Sequence, residues 1–412
     1  NLKFYIEKGG AYNDITPLRS YTEAPVTLTN PFDTTSGSAV INVNDTAHGL
    51  TTGDIATFSG AVAVGGIPEE LLNTNHTVTV VGADDYTITL FTAATSTVTG
   101  GGGTVAATYT KFNVALTNPF TATLGSAVIT VADTAHGCVT GDFVTFSGAT
   151  GLGGNITAGV LNQEYQVSVL DANSYAITVG ATANSTDVSG SPGGGAVSAA
   201  YQINVGPAFQ IPLTGWGAGP WGSGVWGTGS TSLFSMRLWS QSNFGEDLIF
   251  APRDGGIYYW DATTGVTARG VPLQDLSGAS NVPTVQKFTF VSDINRFVFA
   301  FGCNDYGSAV QNPMLIRWSD QESAVNWTPA ATNQAGSVQF SHGSELVTCL
   351  QTRQEIVVWS DSAIYSLQYV GAPAVWKSEL LGDNISIVSP NGAATASGVV
   401  YWMGVDKFYK YD

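Results

Sequence analysis

Charged residues are scarce in this sequence. The chain has 412 residues, of which 11% are charged and 43% are hydrophobic, whereas an ordinary soluble domain has roughly 25% charged residues. Like-sign repulsion and hydration of charged groups keep monomers apart in solution. We therefore expect much of the surface to face other protein. The length allows two or three domains with a sizeable core.

Basic residues are especially few. Lys and Arg together number 14, against 31 Asp and Glu, which gives a formal net charge of −17. Duplex DNA binding normally needs a basic stripe that displaces counterions from the phosphates. This composition excludes a large surface of that kind. An acidic wall could still border DNA, because it repels phosphate and lets a duplex slide past.

Cysteine and long hydrophobic runs are also lacking. The three cysteines, Cys138, Cys303 and Cys349, are far apart, which excludes a disulfide framework or a metal knuckle and favours small buried residues. No run approaches the ~18 apolar residues of a membrane span, and no signal-peptide pattern opens the chain. Because the first residue is Asn1 and the last residues resemble a strand end, we expect a processed or trimmed piece of a longer protein.

A tandem duplication occupies residues 29–206. Residues 29–66 and 117–154 share 26 identities over 38 ungapped positions, at a constant offset of 88 residues. The similarity resumes after one inserted residue, and both copies end in glycine runs, at 100–103 and 193–195. Repetition at a fixed spacing indicates a repeated structural unit. We predict a first module over residues 29–116 and a second over residues 117–206.

Each module is predicted to be a small β-barrel or β-sandwich. In the first copy, stretches rich in β-branched and aromatic residues at 39–43, 55–58, 77–81 and 86–90 are separated by Gly and Asp turns. Short strands with such turns are typical of small all-β folds.

The modules resemble a known small β-domain. The residues that carry the resemblance in the first copy are His48-Gly49, Gly53-Asp54, Phe58-Ser59-Gly60, Leu72-Asn73, Tyr86 and Ile88. They are similar to the first catalytic cysteine half-domain of ubiquitin-activating enzymes, and similar modules occur in tail and other virion proteins of bacteriophages. The resemblance implies a shared module only, because the adenylation domain and catalytic cysteine of those enzymes have no counterpart here.

A segment rich in glycine and tryptophan follows the modules. Trp216, Trp221 and Trp226 recur every five residues, each followed by glycine, and this spacing fits neither a helix stripe nor a strand alternation. Flexible linkers are polar, whereas indoles bury a large area when they pack. We predict that residues 207–232 form a structured joint, with a flexible linker as the alternative.

The remaining residues, 233–412, are predicted to form a β-propeller-like body. Strand-like segments end near Trp260, Trp318, Trp359 and Trp402, which lie 58, 41 and 43 residues apart. Propeller blades run roughly 40–50 residues with an aromatic near a strand end. This length holds about four blades, so we expect the propeller to be incomplete or to continue past Asp412. Residues 1–28 are predicted to be an extended arm with one short strand.

The body also resembles a phage protein family. The phrases that carry the resemblance are Asn243-Phe244-Gly245-Glu246-Asp247-Leu248, Ser362-Ala363-Ile364-Tyr365-Ser366-Leu367-Gln368 and Leu381-Gly382-Asp383-Asn384-Ile385-Ser386. They are similar to the tail-nozzle proteins of short-tailed bacteriophages, also called tail tubular protein B. The resemblance implies a propeller-based tube at the distal tail that is hexameric, stacks below an adaptor ring and carries the ejected genome.

We predict no catalytic, cofactor-binding or metal-binding residue. His48 and His136 each follow an Asp by three residues and precede another, Asp54 or Asp142, by six. A metal site needs three or four convergent ligands, and the Gly-rich turns explain the spacing as local backbone pairing. Metal binding is the alternative.

Other sequence features favour structural roles over chemistry. Ser341 and His342 are adjacent, but nucleophilic catalysis needs a nucleophile, a base and an orienting group together, and no Gly-x-Ser-x-Gly elbow is present. The turn at Arg253-Asp254-Gly255-Gly256 is faintly similar to the Asp-Gly turn of sialidase blades. The six arginines from the joint onward are scattered, however, and such enzymes need several arginines on one carboxylate. The glycine runs lack the Lys-Ser/Thr of a nucleotide loop.

The leading prediction is therefore a non-enzymatic structural protein of a bacteriophage tail, located in the virion. Copies would close into a ring, a hexamer by the resemblance, through heterologous contacts. Its partners would be the tail adaptor and other tail proteins, with tail fibres or spikes as further candidates, and double-stranded DNA would pass without specific binding. The alternative is a virion protein that binds a host receptor or glycan. A propeller hydrolase is disfavoured.

Overall fold

The computed structural model describes residues 2–185, 187, 191–206 and 236–412. Strands account for 46% and helices for 4%, so the predicted all-β class is confirmed. The chain divides into two compact units: a body unit of Asn1–Ile15 with Val205–Asp412, and a module unit of Thr16–Asn204. The predicted joint at 207–232 lies entirely outside the described residues. In the described ranges, no helix is long and apolar enough to span a membrane.

The first strands of the chain belong to the body unit. Strands β1 (Tyr5–Lys8) and β2 (Ala11–Asp14) form an antiparallel hairpin. Phe4, just before β1, stacks on Phe250 with ring centroids 4.8 Å apart. The stretch predicted as an extended arm thus contributes a hairpin to the body unit, because its aromatic residue has a core to enter, while its later residues join the module unit. The domain boundaries stay a prediction.

The first module consists of two antiparallel sheets. Its elements are β3 (Tyr21–Thr22), β4 (Val26–Thr29), β5 (Phe32–Thr34), β6 (Val40–Asn44), β7 (Ile55–Ser59), α1 (Glu69–Leu72), β8 (Asn75–Thr77), β9 (Thr79–Val80), β10 (Asp85–Thr89), β11 (Val98–Gly101) and β12 (Thr104–Lys111). One sheet has the order β11-β5-β6-β10-β9, and the other has the order β3-β12-β7-β8 with β4 also paired to β12. Both sheets contribute side chains to one buried cluster, as in a sandwich.

The second module repeats the plan of the first. Its elements are β13 (Val114–Thr117), β14 (Phe120–Ala122), β15 (Val128–Ala132), β16 (Phe143–Ser147), α2 (Ala158–Leu161), β17 (Glu164–Gln166), β18 (Ser168–Asp171), β19 (Ser174–Thr178) and β20 (Ala196–Tyr201). They form two four-stranded sheets, ordered β13-β20-β16-β17 and β14-β15-β19-β18. Side-chain alternation explains the match between the modules, because Ile41 and Val43 are buried in β6, as are Ile129 and Val131 in the equivalent β15.

Residues 17–23 connect the two modules within the module unit. Strand β3 pairs with the end of β12 in the first module. Just before it, Leu18 forms a β-bridge with Gln202, and the Arg19 amide donates to the Tyr201 carbonyl at 2.8 Å. Tyr21 also packs against the core of the second module. This short segment is therefore hydrogen-bonded to both modules.

Besides the β1–β2 hairpin, the described part of the body unit contains four antiparallel sheets in succession, and the strands of each of these four sheets follow chain order. Buried clusters lie between successive sheets. The sheets are β21 (Trp239–Phe244), β22 (Asp247–Pro252), β23 (Tyr258–Trp260) and β24 (Val271–Pro272); β25 (Phe288–Val291), β26 (Val298–Phe301), β27 (Leu315–Trp318) and β28 (Gly336–Gln339); β29 (Leu346–Gln351), β30 (Ile356–Ser360), β31 (Ala363–Gly371) and β32 (Val375–Asp383); and β33 (Ala393–Ala396), β34 (Val399–Met403) and β35 (Phe408–Tyr411).

The four repeated tryptophans do not occupy equivalent strands. Trp260 and Trp318 lie in the third strands of the first two sheets, whereas Trp359 and Trp402 lie in the second strands of the last two. All four are buried. The tryptophans therefore mark buried positions in successive sheets, but the distance between them in the sequence is not the length of one structural repeat.

Candidate functional site

The histidines of the two modules use both ring nitrogens within their own turns. His48 places Nε2 3.1 Å from the Gly82 carbonyl and accepts the Leu50 amide at Nδ1, at 3.0 Å. His136 does the same with Asp171 and Cys138, at 2.9 and 3.0 Å. Neither imidazole has a nitrogen left for a metal. Within the part of the chain that the structure describes, no group of three or more His, Cys, Asp or Glu side chains could hold a metal ion.

Asp54 and Asp142, which follow these histidines in the sequence, also accept hydrogen bonds from backbone amides, but the basic residues near the two turns differ. Asp54 accepts the amide of Thr51 at 2.7 Å. Asp142 accepts the amide of Val139 at 2.9 Å and also forms an ion pair with Arg19. Burial lowers the pKa of Arg19, but Asp142 and other nearby groups raise it above its ordinary value overall. The equivalent cation in the first module is Lys111, which lies 3.5 Å from the His48 carbonyl.

Ser341 and His342 contact each other without a third group. Ser341 Oγ lies 3.1 Å from His342 Nδ1, and both side chains are exposed. Among the described residues, no carboxylate accepts a hydrogen bond from the His342 ring. A base without an orienting group and outside a pocket lacks the arrangement that activates a serine.

The turn at Arg253 and Asp254 is ordered by neighbouring side chains. Asp254 has a left-handed φ of 58°. Its Oδ1 accepts from Lys287 Nζ and from Gln311 Nε2, both at 3.1 Å. The Asp254 carboxylate is thus held by structural partners, whereas the neighbouring Arg253 side chain extends into a groove.

This groove lies on the body unit. It has a volume of about 690 Å³ and is lined by the first strands of three sheets, β21, β25 and β29, together with residues 386–391 before the fourth. Its charged residues are Arg253, Lys287, Glu345 and Asp361. The groove is therefore built from residues that are up to 167 positions apart in the sequence, from Leu238 to Val405.

The two cations of the groove are in different states. Lys287 Nζ lies 3.1 Å from Asp254 Oδ1 and 3.7 Å from Glu345 Oε2, so its charge is compensated. Burial lowers the pKa of Arg253 below its ordinary value, although the carboxylates of Asp254 and Glu345 act in the opposite direction. Among the described residues, the Arg253 guanidinium forms no hydrogen bond or ion pair. It is the group of this groove most suited to receive an anion.

The other described arginines of the body unit lie elsewhere, each with its own environment. Arg317 is buried and stacks over Tyr306 at 3.9 Å. Arg296 lies over Phe244 at 5.4 Å, and Arg269 pairs with Asp14 at 3.4 Å. The structure therefore brings a single arginine to the groove. Sequence reasoning considered Arg253 only as part of a turn, and no local signal indicated that strands from three sheets would converge around it.

Arg19 was missed for a different reason. Residues 117–206 contain no Lys or Arg, so a cation that pairs with the buried Asp142 must come from outside the second module. This lack of basic residues is the sequence feature that could have predicted the role of Arg19.

Comparisons with known proteins add little to this geometry. No family model matches the chain, and no curated protein is similar to it. Among solved structures, the chain is similar to the phage phi92 endosialidase at 10% sequence identity, with a TM-score of 0.24. The alignment covers 96% of this chain and 65% of that one. A TM-score this low carries no argument about shared fold or function. The resemblances to tail nozzles and to the ubiquitin-enzyme module are not supported by these comparisons and stay predictions.

Proposed function

We propose that this chain is a non-enzymatic structural protein of a bacteriophage tail, which forms part of the nozzle or tube that conducts the genome. In this proposal, copies close into a ring around the path of the DNA, and the ring contacts other tail proteins above and below it. The three phrases at 243–248, 362–368 and 381–386 suggest this family, and the structural features below support it.

The sheet order of the body unit supports a propeller-based tube. Four antiparallel sheets follow one another, each with its strands in chain order, which is the strand order of propeller blades. The phrase at 243–248 spans the hairpin between β21 and β22, and the phrase at 362–368 lies at the start of β31. The phrases thus fall on strands and turns of the repeated sheets.

One exposed apolar face is the observation that carries the proposal of assembly. Tyr401, Met403 and Phe408 are 48, 41 and 83% exposed. Met403 and Phe408 are paired across β34 and β35, and Tyr401 lies two residues before Met403 on the same face. Contiguous exposed apolar patches on a soluble protein mark protein–protein contacts. We expect this face, which we call the terminal-sheet face, to contact the neighbouring copy.

The charge distribution is compatible with a conduit. The net charge is −17 and the second module contains no Lys or Arg. A surface without basic residues cannot displace phosphate counterions. DNA that passes such a surface is repelled weakly and does not adhere.

Native mass spectrometry of the purified chain tests the assembly directly. We expect a closed oligomer for the wild type and dissociation for Phe408→Glu, because a charge in the centre of an interface loses its hydration. The matched control is Phe91→Glu, since Phe91 is 87% exposed and belongs to the first module, whereas the terminal-sheet face belongs to the body unit. A wild-type chain that stays monomeric at all concentrations contradicts the proposal, as does an oligomer indifferent to Phe408→Glu.

A further inference from the structure

The groove of the body unit presents an unused guanidinium. The Arg253 side chain is partly buried and lines the groove, yet among the described residues its guanidinium forms no hydrogen bond or ion pair. A guanidinium offers several N–H donors in a planar fork that matches the two oxygens of a carboxylate. The removal of part of its hydration strengthens such a pair. The Arg253 guanidinium can therefore form a bidentate ion pair with one carboxylate.

The other charges of the groove limit what kind of anion can enter. Lys287 is already paired with Asp254 and Glu345. Glu345 and Asp361 add two negative charges to the lining. A ligand with closely spaced charges, such as a nucleic acid strand, would be repelled by these carboxylates. A ligand with one carboxylate can place it on Arg253 and meets less repulsion from Glu345 and Asp361 than a ligand with several charges.

The rest of the lining suits a ligand with many hydroxyl groups. Gln241, Ser242, Thr348 and Asn391 line the groove, and among the described residues their side chains form no hydrogen bond. These neutral groups can both donate and accept. The apolar residue Phe288 also lines the groove. Sugars have this combination of polar edges and an apolar face, and a volume of about 690 Å³ is in the range of small-molecule sites.

We propose that the groove binds a saccharide that carries a single carboxylate, and that Arg253 binds the carboxylate. This gives the glycan-binding alternative predicted from the sequence a site and a ligand class. It goes beyond the proposed tail function and does not depend on it, because every residue of the groove belongs to one chain.

Isothermal titration calorimetry of the full 412-residue chain tests the proposal with matched pairs of probes. One pair is xylotriose with and without a single glucuronic acid, and the other is 3′-sialyllactose with lactose. We expect at least one acidic member to bind at least about tenfold more tightly than its neutral partner, because a hydrogen bond to a charged group is worth that much. The pair that shows the difference identifies the acid.

Three variants separate the role of Arg253 from folding. Arg253→Gln should abolish the preference for the acidic member, whereas Arg353→Gln, at an exposed turn outside the groove, should retain it. Glu345→Gln removes a repelling charge and should tighten binding of the acidic saccharide, so this variant tests the proposal even if Arg253→Gln unfolds. Tryptophan fluorescence reports the folding of each variant.

The contrary results are equally defined. Equal affinity for acidic and neutral members overturns the role of Arg253. Absence of saturable binding by all four saccharides overturns the site. Tighter binding of the peptide Gly-Glu-Gly than of either acidic saccharide overturns the ligand class. None of these outcomes depends on whether the chain forms a ring.

Discussion

Replacement of Arg19 by Ala should selectively destabilise the second module. The Arg19 guanidinium pairs with Asp142, and the two side chains are 16 and 8% exposed. It also donates to the carbonyl of Gln202 at 3.0 Å and to that of Gly137 at 3.1 Å. Because residues 117–206 contain no Lys or Arg, no cation of the module itself can take its place.

The expected cost is about 3 kcal/mol, since removal of one partner from a buried ion pair leaves an uncompensated charge. Lys111→Ala is the matched control in the first module. Lys111 is paired with Glu23 at 2.9 Å, but Glu23 is 49% exposed. Exposed pairs contribute at most about 1 kcal/mol, so we expect a clearly smaller effect there.

Hydrogen exchange measured by mass spectrometry distinguishes the modules. For Arg19→Ala, protected amides of β15, β16 and β20 should exchange about a hundredfold faster, which corresponds to 3 kcal/mol. Residues 16–204 contain no tryptophan, so an unchanged tryptophan unfolding curve confirms that the body unit is unaffected. Exchange within threefold of the wild type, or an equal effect of Lys111→Ala, would refute the reasoning.

Three further predictions concern the core and the turns. Burial raises the pKa of Asp275 to about 6, and its Oδ2 has no hydrogen-bond partner among the described residues. Because the pKa of Asp275 is higher in the folded than in the unfolded state, ionisation of Asp275 lowers the free energy of unfolding as the pH rises from about 4 to 6. In urea unfolding, Asp275→Asn should be about 2 kcal/mol more stable than wild type at pH 7 and little more stable at pH 4. A difference in stability that does not change with pH would contradict this. Gly102→Ala should lower the free energy of unfolding by about 2 kcal/mol or more, because Gly102 has a φ of 100° and an added Cβ would meet the Phe32 ring. Gly37→Ala should lower it by about 1 kcal/mol, because Gly37 has a φ of 82° but open space around an added Cβ. Equal shifts of the two thermal unfolding temperatures would contradict the packing argument. For His48, dialysed wild-type protein should contain no stoichiometric metal by elemental analysis, and metal that is lost on His48→Ala would overturn its structural role.

The repeat and the strands could be predicted because their causes are local. Residues 40–44 and 128–132 are rich in β-branched residues that alternate between buried and more exposed positions, and the structure has strands there. The stretch predicted as one strand at 77–81 is interrupted at Val78, whose amide donates to the Asp54 carbonyl at 2.8 Å. Such an interruption depends on a residue more than 20 positions away, which periodicity does not reveal.

The groove could not be predicted because its causes are not local. Arg253 and Glu345 are 92 positions apart, and only the convergence of separate sheets places both in one lining. The tryptophan spacing suggested a regular repeat, but Trp318 and Trp359 lie in different strands of their sheets. Burial was predictable at these positions, whereas the convergence of the sheets depends on long-range packing.

Cryo-electron microscopy of the virions that the proposed function implies tests the central claim most directly. The account predicts a closed ring of copies around the tail axis, with DNA in its bore and the terminal-sheet face buried between neighbouring copies. Copies that project from the particle as separate spikes, with no bore and with Phe408 exposed to solvent, would contradict the conduit and leave the saccharide groove as the basis for function.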